Sequence, residues 1–127
     1  MALKNLYLFY GDDSYSAFHK AKHWQQEFEK KYGDLNLQIF EGEKMTGSNF
    51  SEAVDTMPFL ADKKLIIIRD FLRDGEDEEQ KKVAEKLETI AEYCIVIFIE
   101  KDKPDARTTL FKKLSKTAQA IEFHDLD

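Results

Sequence analysis

The chain has 127 residues, 43% hydrophobic and 13% aromatic, which suits one domain over residues 1–127 with a single buried core and leaves no room for a second. Its 19 basic and 25 acidic side chains give a net charge of −6, the opposite of the footprint of a protein that coats nucleic acid, although a local basic face stays compatible with it. One cysteine excludes a disulfide framework and a Cys-rich zinc module, the longest apolar runs are too short for a bilayer, and the N-terminus lacks a signal-peptide layout, so a soluble cytoplasmic domain without a membrane partner is expected.

Two apolar periodicities alternate along the chain. Leu6–Tyr10 is a continuous apolar run stopped by Gly11 and predicts a strand buried on both faces. Ala17, Ala21, Trp24 and Phe28 then recur at helical spacing, between an N-cap at Asp13 or Ser14 and a stop at Gly33. Leu35–Phe40 alternates apolar and polar, as a strand nearer the sheet edge does. Phe50, Ala53, Val54 and Met57 mark a short helix capped near Ser48 and halted by Pro58. Lys64–Ile68 is a second buried strand. The acidic stretch Asp74–Glu79 reads as a loop before a helix with the stripe Val83, Leu87, Ile90 and Ala91. Ile95–Ile99 is a third buried strand, a helix carries Leu110, Phe111 and Leu114, and Ala118–Phe123 returns as a strand. Strict alternation with apolar, β-branched strands predicts a three-layer α/β/α domain with a five-stranded parallel sheet. Ligands or partners are then expected at the C-terminal strand ends, near Gly11, Phe71 and Lys101.

The turn after the first strand is where such a domain holds nucleotide phosphates. A P-loop needs a second glycine, a lysine against phosphate charge and a hydroxyl for magnesium. Laid from Gly11, the chain offers Asp12, Asp13, Ser14, Tyr15, Ser16, Ala17 and Phe18. The required groups are missing, and two carboxylates stand at the phosphate position. No ATP or other cofactor is expected. Asp12 and Asp13 with Asp70 also match the three acids of a magnesium-dependent phosphoreceiver. The simpler reading is acids at a helix N-terminus, and the hydroxyl and lysine that a receiver needs at its fourth and fifth strand ends are absent. That alternative stays open.

His19, His23 and Glu27 share a helix face at a spacing that can begin a zinc site, but no fourth ligand is evident and no metal is expected. Cys94 enters a buried strand without a basic neighbour, as an inert thiol does. No side-chain set for catalysis is visible, so the chain is not read as an enzyme. Arg107, Lys112, Lys113 and Lys116 gather toward the last helix and could touch DNA or a partner, but no aromatic lies among them to stack bases. The segment Thr56–Lys64 is the most unusual, because Met57, Phe59 and Leu60 flank Pro58 in a connection. Apolar side chains there either fold back on the core or bind.

Taken together, these blocks carry a resemblance. Leu6–Asp13, Leu37–Glu43, Met57–Ile68, Ile95–Arg107, Leu110–Leu114 and Ala120–Phe123 resemble, in order and spacing, the N-terminal domain of the delta subunit of bacterial DNA polymerase III. The resemblance implies a RecA-like AAA+ core without a functional P-loop, in a non-catalytic subunit of a DNA-directed DNA polymerase (nucleotidyltransferase) complex. It implies clamp-loader function in DNA replication: binding the beta sliding clamp and helping to open it for loading onto primed DNA. Other clamp-loader subunits are implied partners, with DNA met only through the complex. The family's hydrophobic pair falls on Phe59 and Leu60, supported by Met57 and Pro58, and its second domain and C-terminal collar lie outside this chain. A protein-interaction domain with another partner is the remaining alternative.

Overall fold

The computed structural model describes residues 5–11, 14–102, 104, 105 and 107–123. Asp12 and Asp13 lie outside them. In chain order the elements are β1 (Leu6–Gly11), α1 (Ser14–Tyr32), a 3-10 turn (Asp34–Asn36), β2 (Leu37–Glu41) and α2 (Gly47–Asp55). They continue as β3 (Lys64–Arg69), a one-turn α3 (Phe71–Asp74), α4 (Asp77–Lys86), a second 3-10 turn (Leu87–Thr89), β4 (Cys94–Ile99), α5 (Thr109–Thr117) and β5 (Gln119–Phe123).

The strands form one sheet in the order β2-β3-β4-β1-β5, and every neighbouring pair is parallel. Parallel strands need crossovers, and their right-handed sense places α1 on one face and α2, α4 and α5 on the other. Each face has its own core. Ala17, Ala21 and Phe28 of α1 pack with Phe9, Leu65, Ile67, Ile97 and Ile99. Phe50, Val54, Val83, Leu87, Leu110 and Leu114 pack with Leu6, Leu8, Ile66, Ile68, Val96 and Phe98. Central strands buried on both sides explain their unbroken apolar runs, and β2, with its alternating sequence, is an edge strand.

Several boundaries differ from the sequence expectation, each for a local reason. α2 is capped by Thr46 and not near Ser48. The Thr46 hydroxyl accepts from the Asn49 N–H at 3.0 Å and the Asn49 side chain accepts from the Thr46 N–H at 3.2 Å, a reciprocal capping box. α4 begins inside the acidic stretch read as a loop, because Asp77, Glu78 and Glu79 in its first turn complement the helix dipole. Ile90 and Ala91 fall beyond the second 3-10 turn, half-buried.

Gly42 sits where β2 leaves the sheet beside the start of α3, its N–H donating to the Arg69 carbonyl at 2.7 Å. A Cβ there would stand 2.4 Å from the Phe71 nitrogen and 2.5 Å from the Asp70 carbonyl carbon, both backbone atoms that cannot swing aside. Gly42→Ala is therefore expected to cost roughly 1–3 kcal/mol of stability, read as a lowered denaturation midpoint. An unchanged midpoint would show that β2 and α3 separate freely.

Candidate functional site: an exposed apolar connection

α2 ends at Asp55, three residues before Pro58, so Met57 lies beyond the helix the sequence pattern places it on, and the last carbonyls of α2 are taken up by side chains. The buried Lys64 ammonium donates to the Ala53 carbonyl at 2.5 Å and to the Thr56 carbonyl at 3.2 Å. The Thr56 hydroxyl donates to the Glu52 carbonyl at 2.7 Å, and the Tyr93 hydroxyl to the Asp55 carbonyl at 3.2 Å. A cation at a helix C-terminus suits the dipole, while burial draws the Lys64 pKa below its usual value. The helix end is thus fixed, and the connection leaves it at a defined point.

Beyond it the apolar side chains turn outward. Met57 is 74% exposed, Phe59 60% and Leu60 89%, with Pro58 half-buried between them. Of the two sequence alternatives, core lid or exposed side chains, the structure has the second. The Phe59 backbone is held by Asn36, whose amide donates to the Phe59 carbonyl at 2.8 Å and accepts from its N–H at 2.6 Å. Leu60 follows with φ 53°, a left-handed conformation that a branched side chain adopts only when its surroundings impose it. Leu35, 75% exposed in the turn that carries Asn36, borders the same groove of about 480 Å³ as Met57 and Phe59. The sequence pattern places Leu35 and Asn36 at the start of the edge strand; in the structure they belong to the turn Asp34–Asn36 and β2 begins only at Leu37, so the pattern assigns neither to this site. An apolar residue at the tip of a polar turn was the available signal for Leu35.

The C-terminal strand ends hold a different arrangement. Asp70 has φ 55° and turns the chain into α3. Its carboxylate accepts from the Lys101 N–H at 3.0 Å and lies 3.6 Å from the Lys101 ammonium. Glu100, 1% exposed, accepts from the N–H groups of Leu72 at 3.1 Å and Arg73 at 3.2 Å. Burial pushes its pKa up to about 8, against the pull of those two N–H donors and with a further upward push from Asp70 and Asp74. Gln80 completes the region by donating to the carbonyls of Phe71, Leu72 and Gly75. The helix-end N–H groups of α3 thus already serve a protein carboxylate.

The remaining sequence candidates do not assemble into a second site. Gly11 closes β1 and Ser14 opens α1. The basic residues lie apart in function: Arg107 precedes α5 and is bound through both ends of its guanidinium to Asp105, at 3.1 and 3.0 Å, while Lys113 pairs with Glu88 at 3.0 Å. Lys112 and Lys116 are exposed on α5. His19, His23 and Glu27 face solvent, and among the described residues no group of three or more His, Cys, Asp or Glu could hold a metal ion. Cys94, unlike the sequence expectation, has a basic neighbour in Lys64 across the β3–β4 pair, which draws its pKa down, but burial outweighs it and pushes the pKa up to about 12, so the thiol is unreactive at neutral pH. Among the described residues no helix is long and apolar enough to cross a membrane.

Comparison with known proteins adds to this geometry. Among curated proteins no match is found. The DNA clamp loader delta protein of Bacillus subtilis superposes with a TM-score of 0.82 at 22% identity, over 98% of this chain and 40% of that one. A DNA polymerase III gamma subunit-related protein from Thermotoga maritima superposes at 0.69 and 14% identity, over 98% of this chain and 42% of that one. At those identities the likeness is one of fold, and this chain spans about two fifths of either protein's length. The family described as DNA polymerase III, delta subunit, matches residues 7–124. That match takes in nearly every element from β1 to β5, and the chain belongs to the DNA polymerase III delta subunit family.

Proposed function

We propose that this chain is the clamp-contacting domain of a clamp-loader subunit, a RecA-like AAA+ core without a working phosphate turn, and that it binds and helps to open the beta sliding clamp during replication. The observation that carries the reading is the outward-turned set Met57, Phe59 and Leu60 on a connection that leaves a fixed helix end and is tied at the Phe59 backbone. Large apolar side chains on a pinned backbone suit a pocket in a partner, and few such side chains supply most of an interface's binding energy. Phe59 and Leu60 are the anchor in this reading, with Met57 and Pro58 as support. Binding opens a ring only if the open form is held more tightly than the closed one.

In this role the domain works within a polymerase assembly, in the cytoplasm, beside other clamp-loader subunits, and catalyses nothing itself. Arg107, Lys112, Lys113 and Lys116 give at most an accessory contact to DNA or a neighbouring subunit, since two of the four already hold acids. Titration with magnesium-ATP is expected to release no binding heat, because the turn Gly11–Phe18 lacks the lysine and hydroxyl of a P-loop. A micromolar dissociation constant would contradict this.

The phosphoreceiver alternative finds no support in the strand order. β4 lies between β1 and β3, so their C-terminal ends stand about 10 Å apart, at roughly 4.8 Å per strand. A receiver has β1 next to β3, where acids from both can share an ion. The direct test of the clamp reading is surface plasmon resonance with immobilised beta clamp and this domain as analyte. Saturable binding is expected. Its absence, with a folded domain, would favour an interaction domain with another partner.

A further inference from the structure

We propose that Asn36 is a positioning residue for the anchor, fixing the Phe59 backbone so that Phe59 and Leu60 meet their partner already in one conformation; this rests on the clamp-contact reading above. Asn36 ends the turn before β2 and is only 5% exposed. Its amide nevertheless spans 23 residues of sequence to bind both polar groups of Phe59, donating at 2.8 Å and accepting at 2.6 Å. A carboxamide presents a donor and an acceptor side by side, which lets it pair with a backbone N–H and C=O as a neighbouring strand does. Among the described residues this pair is the single hydrogen-bonded tie between residues 57–62 and the rest of the domain.

The consequence is pre-organisation. Leu60, directly after the tied residue, has a left-handed backbone that is intrinsically unfavourable for a branched side chain. An untied connection relaxes into many conformers, and ordering it again on each encounter weakens binding. Asn36→Asp keeps the size and the acceptor but sets an oxygen against the Phe59 carbonyl, whereas Asn36→Ala removes both bonds. The first change also buries a carboxylate and so lowers Tm by itself, which makes Asn36→Ala the variant whose Tm and exchange separate a tie from a structural role. A residue that ties the anchor tolerates neither change.

The experiment compares parent, Asn36→Asp, Asn36→Ala and Phe59→Ala/Leu60→Ala in three readouts: affinity for immobilised beta clamp, thermal melting, and amide hydrogen exchange. Both Asn36 variants are expected to bind about tenfold more weakly, and Asn36→Ala to exchange at the Phe59 N–H at least about tenfold faster, with Tm and the exchange of the sheet in Asn36→Ala close to the parent's. Unchanged exchange at the Phe59 N–H in Asn36→Ala, or clamp affinity within about twofold of the parent in both Asn36 variants while the anchor double variant loses it, overturns the positioning role alone. Exchange accelerated evenly across the domain with a large fall in Tm in Asn36→Ala also overturns it, since Asn36 would then hold the fold as a whole. Normal clamp binding by the folded anchor double variant overturns the clamp-contact reading itself.

Discussion

Phe59→Ala/Leu60→Ala is expected to lower affinity for the beta clamp by about thirty- to a thousand-fold, the equivalent of roughly 2–4 kcal/mol for truncating an interface anchor. The fold is expected to survive. Phe59 and Leu60 are 60% and 89% exposed, so their removal opens no cavity, and surface changes of that kind stay within about 0.5 kcal/mol. The Asn36 tie uses only the Phe59 backbone and persists in the variant. Clamp opening is expected to fall with binding, since no differential affinity for the open ring remains to drive it. Arg107→Ala is the matched control: its guanidinium is occupied by Asp105, and about twofold or less is expected from losing it at physiological salt. A double variant that melts far below the parent would place the pair in the core. One that folds and binds normally would place the anchor elsewhere.

The second large effect concerns pH. In the unfolded chain the Glu100 carboxyl titrates near 4.5, and in the folded domain near 8. Between those values the unfolded state has released a proton that the folded state still holds. Stability from this group is thus fully present below about pH 4.5 and is lost as pH rises toward about 8, at up to about 1.4 kcal/mol per pH unit. The groups facing it set the window: Asp70 and Asp74 raise it further, while the Leu72 and Arg73 N–H groups oppose the shift. Denaturation midpoints measured from pH 5 to pH 8 are expected to fall for the parent through this contribution. Glu100→Gln is expected to begin lower, because an amide cannot accept from both N–H groups, and to show a flatter slope. Equal slopes in parent and variant would mean that Glu100 is ionised throughout.

Legibility in the sequence followed the physics of each element. Strand cores buried on both faces, Leu65–Ile68 within β3 and Cys94–Ile99, are apolar throughout, and α1 has to place one stripe against the sheet; both patterns are visible in the residues themselves. The one-turn α3 was not legible. Its backbone is satisfied by Gln80 of the next helix and by the buried Glu100, 27 and 28 residues further along the chain, and no local pattern encodes the pairing with Glu100. The start of α4 was obscured because acids that solvate a loop also stabilise a helix N-terminus. At the candidate site, Met57, Phe59 and Leu60 could be found as apolar residues in a connection after a proline. Their outward turn was not legible, because the groups that hold the segment are set far from it in sequence or outside it: Asn36 binds the Phe59 backbone across 23 residues, and Lys64 fixes the end of α2.

The central claim, that the connection after α2 is the clamp-contacting surface, is tested most directly by amide hydrogen exchange over the whole domain, free and saturated with beta clamp. The account predicts protection at residues 56–62 and in the turn Asp34–Asn36, with β4 and the exposed face of α1 unchanged. Protection centred on α5 and Arg107, with residues 56–62 exchanging as in the free domain, would contradict it.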